Sequence, residues 1–125
     1  MSPPLRGVVV GHGDLAAALV AAAEEISGVR DVLVAVSNRH CDRVVLETRV
    51  KEAVGSGPAV VFVDLPSGSC FFAAMHGVAG VEGVQIIAGV NLSMLVDFVF
   101  HREAGLEAAV RRARDIGGKA IAGPR

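Results

Sequence analysis

Short runs of apolar, mostly β-branched residues recur along the chain, and each is followed by a segment with helical periodicity. The predicted strands are residues 6–11, 31–36, 58–64 and 83–88. Strands that are apolar almost throughout are typical of a parallel sheet covered on both faces. The alternation therefore predicts an α/β fold, with a doubly wound, mainly parallel sheet of four to five strands and helices on both faces.

Five helices are predicted between and after these strands. They cover residues 14–28, with Asp14 as the cap; 41–54; 69–78, with Ser69 as the cap; 91–101; and 103–116. Residues 119–122 are a candidate for a short fifth strand, although the Gly-Gly pair before them argues against it. The expected architecture is a flavodoxin-like three-layer sandwich, in which the first and third strands are neighbours.

The composition is that of a globular domain and gives no indication of a nucleic-acid partner. The chain has 125 residues, 52% hydrophobic and 20% charged, so residues 1–125 are expected to form a single domain with a substantial core. A formal charge of −1 and an aromatic content of 4% give no basis for nucleic-acid binding. Two cysteines, no signal peptide and no apolar stretch of membrane-spanning length predict a cytoplasmic protein.

Two ionisable residues follow the first and third predicted strands. His12 lies between Gly11 and Gly13, and Asp64 ends the third strand. Since the carboxyl ends of neighbouring parallel strands meet at one edge of a sheet, we expect His12 and Asp64 to lie close together. A carboxylate that accepts the Nδ1 proton of a histidine leaves Nε2 able to attack an electrophilic phosphorus, and it offsets the charge that develops on the ring.

The start of the third predicted helix is the second part of this candidate site. Ser69, with the backbone amides of Gly68 and Cys70, would form a helix N-terminus beside the cleft, and such a terminus binds phosphate well. Taken singly, a strand-end histidine, a loop aspartate and a capping serine are more often structural. Their coincidence at the strand ends favours a functional site.

The other chemically versatile side chains are interpreted as structural. Cys70 would be reactive if it were exposed at a helix N-terminus, but a packed small residue is the favoured interpretation. Phe71 and Phe72 either present apolar surface to a partner or pack inward, and inward packing is the favoured interpretation. No metal site is predicted, because the remaining histidines lack ligand-like spacing: His40, His76 and His101.

Three segments of the chain carry a family resemblance. They are Val8-Val-Val-Gly-His12-Gly before an alanine-rich helix, Val63-Asp64-Leu-Pro-Ser-Gly-Ser69-Cys-Phe-Phe-Ala-Ala74, and Ile87-Ala-Gly-Val-Asn91-Leu-Ser-Met-Leu95. In this order they resemble the mannose-type enzyme IIA of the sugar phosphotransferase system, over about residues 6–118. Four positions depart from the pattern, where glycine, proline, asparagine and proline are usual: Ser67, Cys70, Phe72 and Ser93.

The resemblance implies a function and the residues that perform it. Members of that family form dimers, and the strand-one histidine, here His12, accepts a phosphoryl group on Nε2 from the histidine phosphocarrier protein and passes it to a IIB component. Asp64 would be the partner of His12, and Ser69 would help to hold the phosphoryl group. Gly68, at the helix N-terminus, and Gly13, next to His12, complete the candidate phosphoryl-binding residues. No metal, nucleotide or other cofactor is implied, and the membrane is reached only through the IIC and IID components.

Two other functions stay open on the sequence. A phosphocarrier subunit that serves dihydroxyacetone kinase shares the fold and the strand-end histidine, although Gly89-Val-Asn-Leu fits the mannose type better. A regulatory binding module, whose phosphorylation reports nutrient state, is compatible with the altered loop around Ser67. A nucleotide-binding domain ranks last, because the chain has no phosphate-binding loop of the Walker or GxGxxG type.

Overall fold

The computed structural model describes residues 4–124 and shows the predicted alternation of strands and helices. The strands are β1 (Arg6–Gly11), β2 (Leu33–Ser37), β3 (Ala59–Val63) and β4 (Val84–Ala88). The helices are α1 (Leu15–Ser27), α2 (Arg43–Val54), α3 (Ser69–Gly77), α4 (Leu92–His101) and α5 (Leu106–Lys119). Within these residues we find no helix whose length and hydropathy would let it span a bilayer.

The four strands form one parallel sheet in the order β2-β1-β3-β4. β1 therefore lies between β2 and β3, which confirms that the first and third strands are neighbours. Helices α1, α4 and α5 pack on one face of the sheet, and α2 and α3 pack on the other. The structure is thus the predicted doubly wound α/β sandwich, with four strands.

Two apolar cores, one on each face of the sheet, follow from the alternation of side chains along the strands. Val9 of β1 and Phe62 of β3 belong to the core under α1, α4 and α5, whereas Val8 and Val10 belong to the core under α2 and α3. All four are fully buried. Phe62 meets Phe98 of α4 edge to face, with ring centroids 5.2 Å apart. Because both faces are covered, the strands are apolar throughout in the sequence.

The candidate fifth strand, residues 119–122, is not formed, because α5 continues to Lys119. The two glycines before Lys119 stay helical, and the first of them lies against α4, because a Cβ on Gly117 would overlap Met94 Cε. Asn91 strengthens the same contact. Its Oδ1 accepts a hydrogen bond from the Met94 N–H at 3.1 Å, and its Nδ2 donates to the Gly117 carbonyl at 2.9 Å. Gly117 therefore serves close helix packing and does not stop the helix.

Three boundaries shift by a few residues. β2 begins at Leu33 instead of residue 31, because Asp31 has φ 65°, outside the extended range. α5 begins at Leu106 instead of residue 103, because Gly105, at φ 94°, departs from helical geometry immediately before it. α5 also ends at Lys119 instead of residue 116, and the other predicted boundaries agree with the structure within two residues.

Gly7 of β1 leaves no room for a side chain, since a Cβ there would lie 2.6 Å from Leu33 Cδ2 and 2.9 Å from Phe98 Cε2. Gly7→Ala is therefore expected to lower the free energy of unfolding by about 1–3 kcal/mol through overpacking, as measured by urea denaturation. Gly118→Ala is the matched control, because a Cβ there meets nothing within 4 Å; its stability should change by less than about 1 kcal/mol. Equal stability of wild type and Gly7→Ala would contradict the packing of β1.

Candidate active site

The carboxyl ends of β1 and β3 form the switch point of the sheet. The chain leaves β1 towards β2 and leaves β3 towards β4, so the two connections diverge between the central strands. The strand register pairs Val10 with Val63, and the Asp64 N–H donates to the Val10 carbonyl at 3.2 Å. The structure therefore brings His12 and Asp64, which follow the two strands, side by side as predicted.

A short hydrogen bond joins the His12 ring to Asp64. Nδ1 of His12 lies 2.6 Å from Oδ2 of Asp64, and the His12 backbone N–H donates to the same oxygen at 3.0 Å. The other oxygen, Oδ1, accepts from the Leu65 N–H at 2.9 Å. An ionised carboxylate can only accept hydrogen bonds, so it favours the neutral tautomer with the proton on Nδ1 and the lone pair on Nε2. The Asp64 side chain is 8% exposed and that of His12 44%, so the carboxylate is sheltered while the ring reaches solvent.

The N-terminus of α3 lies on the Nε2 side of the ring, where Ser69 Oγ is 3.5 Å from His12 Nε2. The prediction that Ser69 caps α3 is wrong, because Gly68 occupies the cap position, at φ 89°, and Ser69 is the first helical residue. The Ser69 hydroxyl is therefore not used as a cap and lies near the ring nitrogen. The amides of the first helical turn, which lack partners inside the helix, add a partial positive charge there.

The last residue of β2 and the residue after it hold the backbone next to His12. The Gly13 N–H donates to Asn38 Oδ1 at 3.0 Å, and the Gly13 carbonyl accepts from Ser37 Oγ at 2.7 Å. The Gly13 N–H, which a phosphoryl oxygen would contact, donates to Asn38 in this structure. Contact between Gly13 and a phosphoryl group therefore stays a prediction. The sequence analysis did not single out Ser37 and Asn38. The signal that could have identified Ser37 and Asn38 is their position, since both are polar and directly follow the predicted strand 31–36.

An arginine that the sequence analysis also missed lies over Gly13. Arg39 Nη1 forms an ion pair with Asp14 Oδ1 at 3.0 Å, and a Cβ on Gly13 would be 3.4 Å from Arg39 Nη2. Asp14 occupies the cap position of α1, as predicted, but makes no side-chain capping hydrogen bond. Since both side chains are more than half exposed, the pair contributes little to stability. The effect of the pair is to place the Arg39 guanidinium beside Gly13, the residue that follows His12.

Cys70, the second residue of α3, is buried beside the other ring nitrogen. Its Sγ lies 3.6 Å from His12 Nδ1, and the residue has no exposed surface. Burial and, to a lesser extent, the nearby Asp64 carboxylate raise the pKa of the Cys70 thiol from 9.0 to about 11. The thiol is therefore neutral at physiological pH, in agreement with its interpretation as a packed small residue.

His12, Asp64 and Cys70 together offer one nitrogen, one oxygen and one sulfur atom, all within 4.8 Å of one another. These are donor types that bind transition-metal ions. Sequence spacing does not reveal the group, because 52 and 58 residues separate His12 from the other two. The histidines whose spacing was considered are placed elsewhere; His76, for example, pairs with Glu47 at 3.1 Å.

The two adjacent phenylalanines of α3 differ in their environment. Phe71 packs against the core under α2 and α3, as expected. Phe72 is 45% exposed, so the expectation that it packs inward is wrong. Its position three residues after Ser69 puts it on the same side of the helix, and both residues line a cavity of about 310 Å³ between α3 and the start of α2. Phe72 thus contributes apolar surface next to the candidate site.

Comparison with known proteins supports a family assignment. A family model described as PTS system fructose IIA component matches residues 7–113. An EIIA component of the phosphotransferase system from Streptococcus agalactiae is 18% identical, with a TM-score of 0.87, over 95% of this chain and 96% of its own. The mannose/sorbose-specific IIA subunit from Enterococcus faecalis is 21% identical, with a TM-score of 0.81, over 98% and 96% of the two chains.

A third solved structure is a PTS IIA protein associated with the fucose utilization operon of Streptococcus pneumoniae. It is 23% identical, with a TM-score of 0.71, and the alignment covers 92% of this chain and 93% of its own. At these identities the solved structures establish the shared fold. No curated protein sequence matches the chain.

Asp64→Ala is expected to release the His12 proton from Nδ1, because the ring loses the carboxylate that accepts it at 2.6 Å. In ¹⁵N NMR of the neutral ring, wild type should show a protonated Nδ1 and an unprotonated Nε2. The variant should shift towards the tautomer with the proton on Nε2. His76 serves as the internal reference, since its pairing with Glu47 is untouched. Identical His12 spectra in the two proteins would show that Asp64 does not set the tautomer.

The raised pKa of Cys70 predicts slow alkylation at neutral pH, because the thiolate is the reactive form. In a Cys41→Ala variant, which retains Cys70 as its single cysteine, the rate of reaction with iodoacetamide should keep rising up to pH of about 11. The unfolded variant, whose thiol has its ordinary pKa, is the control and should react much faster at neutral pH. A folded-state rate that levels off near pH 9 would contradict the assignment.

Proposed function

Since the chain belongs to the family of PTS system fructose IIA components, we propose that it is a phosphoryl carrier. His12 accepts a phosphoryl group from the histidine phosphocarrier protein and passes it to a IIB component during sugar uptake. The observation that carries the proposal is the 2.6 Å contact between His12 Nδ1 and Asp64 Oδ2. It leaves Nε2 as the nitrogen with a free lone pair, which nucleophilic attack on phosphorus requires.

In the acceptance step, the Nε2 lone pair of His12 forms a bond to phosphorus. The bond between phosphorus and the donor's histidine nitrogen breaks, and its electron pair returns to the donor. The proton stays on Nδ1, so the His12 ring carries a positive charge once the new bond has formed. Asp64, hydrogen-bonded to that proton, offsets the charge. The same bond changes in reverse pass the group to the acceptor, and the proposed cycle requires no cofactor.

Ser69 and the start of α3 are proposed to hold the transferred group. Because Ser69 Oγ is 3.5 Å from Nε2, a phosphorus atom bonded to Nε2 brings its oxygens within reach of the hydroxyl and of the amides around Gly68. A helix N-terminus stabilises the negative charge on these oxygens. Such positioned donors act most strongly on the charge of the transferring phosphoryl group. The Arg39 cation on the Gly13 side adds a favourable potential.

Apolar side chains next to the site are assigned to the docking of the phosphoryl donor and acceptor. Leu65, which follows Asp64, and Phe72 and Met75 on α3 are each between 43% and 52% exposed. An exposed apolar patch beside a reactive group is suited to a transient protein contact. The proposal further places the chain in the cytoplasm as a homodimer that reaches the membrane only through the IIC and IID components.

Incubation with phosphoenolpyruvate, enzyme I and the histidine phosphocarrier protein should add one acid-labile phosphoryl group to each chain, detected by intact-mass analysis. His12→Ala should abolish the gain, because the accepting nitrogen is lost. His76→Ala is the matched control and should retain it: His76 is also about half exposed and also paired with a carboxylate, but it lies on α3 away from the switch point.

Absence of the mass gain in wild type with a cognate donor would overturn the carrier proposal. If the gain occurs, incubation of the phosphorylated chain with a IIB component should remove it. Transfer to dihydroxyacetone kinase instead would favour the kinase subunit, and a phosphorylated chain that passes its group to neither would favour the regulatory module.

A further inference from the structure

The three donor atoms beside the proposed phosphoryl site come from three different elements of the fold. His12 follows β1, Asp64 follows β3, and Cys70 is the second residue of α3. We infer that this group binds Zn²⁺ through His12 Nδ1, Asp64 Oδ2 and Cys70 Sγ, and that the bound ion prevents His12 from accepting a phosphoryl group. The second half of the inference rests on the proposed function, whereas metal binding itself does not.

The separation of the nitrogen and sulfur donors already matches that of a tetrahedral zinc site. Typical bond lengths of 2.3 Å to sulfur and 2.0–2.1 Å to nitrogen imply a nitrogen–sulfur separation of about 3.6 Å. His12 Nδ1 and Cys70 Sγ are 3.6 Å apart. The matching nitrogen–oxygen separation is about 3.4 Å, so the Nδ1–Oδ2 contact, now 2.6 Å, has to open by under about 1 Å. All three atoms already lie within 4.8 Å of one another.

The chemistry of the donors favours Zn²⁺ over hard cations. A mixed set of imidazole, carboxylate and thiolate suits Zn²⁺, whereas Mg²⁺ and Ca²⁺ prefer oxygen ligands only. Coordination deprotonates a thiol outright, so the Cys70 proton leaves to solvent when the ion binds. The carboxylate and the thiolate then carry two negative charges, which balance the two charges of the ion at a sheltered position. Three protein ligands leave the fourth position open to water.

Metal binding and phosphoryl acceptance require opposite tautomers of the same neutral ring. The carrier needs the proton on Nδ1 and the lone pair on Nε2. An ion on Nδ1 displaces that proton, and a neutral imidazole coordinated through Nδ1 carries its proton on Nε2. Nε2 then has no lone pair to offer to phosphorus. The two functions therefore exclude each other, although they use different ring nitrogens.

Cys70 is the ligand that makes the group a metal site. It stands where proline is usual in the family that the sequence resembles, and proline offers no donor. Within residues 4–124 no other group of three such side chains lies as close together. The Cys70 thiol contacts Nδ1, whereas the Ser69 hydroxyl contacts Nε2, so Cys70→Ala removes a metal ligand and keeps the residues assigned to phosphoryl transfer.

The first experiment is a titration with Co²⁺, which substitutes for Zn²⁺ and reports its own coordination, followed by competition with Zn²⁺. Wild type should show visible absorption bands of tetrahedral cobalt, a thiolate charge-transfer band, and a stoichiometry of one ion per chain. Cys70→Ala should lose the charge-transfer band and bind zinc about 100-fold more weakly or worse, since even the loss of an outer partner of a metal ligand costs about 10- to 100-fold. Cys41→Ala, the matched cysteine control, should behave as wild type.

The second experiment measures transfer from purified phosphorylated histidine phosphocarrier protein, with enzyme I removed. Free zinc at ten times the measured Kd should slow phosphorylation of wild type by about tenfold, because only the metal-free fraction reacts. Excess chelator should restore the rate, and Cys70→Ala should not respond to zinc at this concentration.

Equal metal affinity of wild type and Cys70→Ala, or the absence of tetrahedral bands, would overturn the metal site. Zinc bound through Cys70 with an unchanged phosphorylation rate would overturn the exclusion. A chain that is never phosphorylated would refute the proposed function, and the cobalt titration would still decide the metal site.

Discussion

The parallel pairing of β1 with β3 in the centre of the sheet is the constraint on which the site depends. Both strands are buried on both faces, and their backbone hydrogen bonds set Val10 level with Val63. The next residues along each strand therefore leave the sheet at the same height, where the connections diverge. His12 and Asp64 lie side by side because each directly follows one of two rigid neighbouring strands. The short contact between them is therefore preorganised, and no flexible loop has to be ordered to form it.

Asp64 connects this scaffold to the chemistry of the ring. Its carboxylate accepts from the ring and the backbone of His12 and from Leu65, while its own N–H is tied to Val10 of β1. The same side chain therefore fixes the backbone turn after β1, the orientation of the imidazole and the position of its proton. Because the carboxylate is sheltered from water, these hydrogen bonds are stronger than they would be at the surface.

The two nitrogens of the His12 ring lie in different surroundings, and this asymmetry organises the functions we propose. Nδ1 meets the sheltered carboxylate of Asp64 and the buried thiol of Cys70, and Nε2 lies near the hydroxyl of Ser69. The sheltered side holds the proton and offers donors to a metal ion, whereas the other side is suited to a transferred phosphoryl group. A neutral imidazole carries a single N–H proton. A proton or a metal ion on one nitrogen therefore determines whether the other nitrogen has a free lone pair.

The sequence by itself determined the strand–helix order, the parallel sheet and the meeting of His12 with Asp64, because apolar periodicity is local and strand ends in such sheets converge. It did not determine which residue caps α3, since Gly68 occupies that place through its positive φ. Nor did it reveal that Gly117 packs against Met94, that Arg39 lies beside the site, or that the Cys70 thiol contacts the His12 ring. These are contacts between distant parts of the chain. They depend on how closely helices and loops approach once both cores are packed, and only the tertiary structure decides that distance.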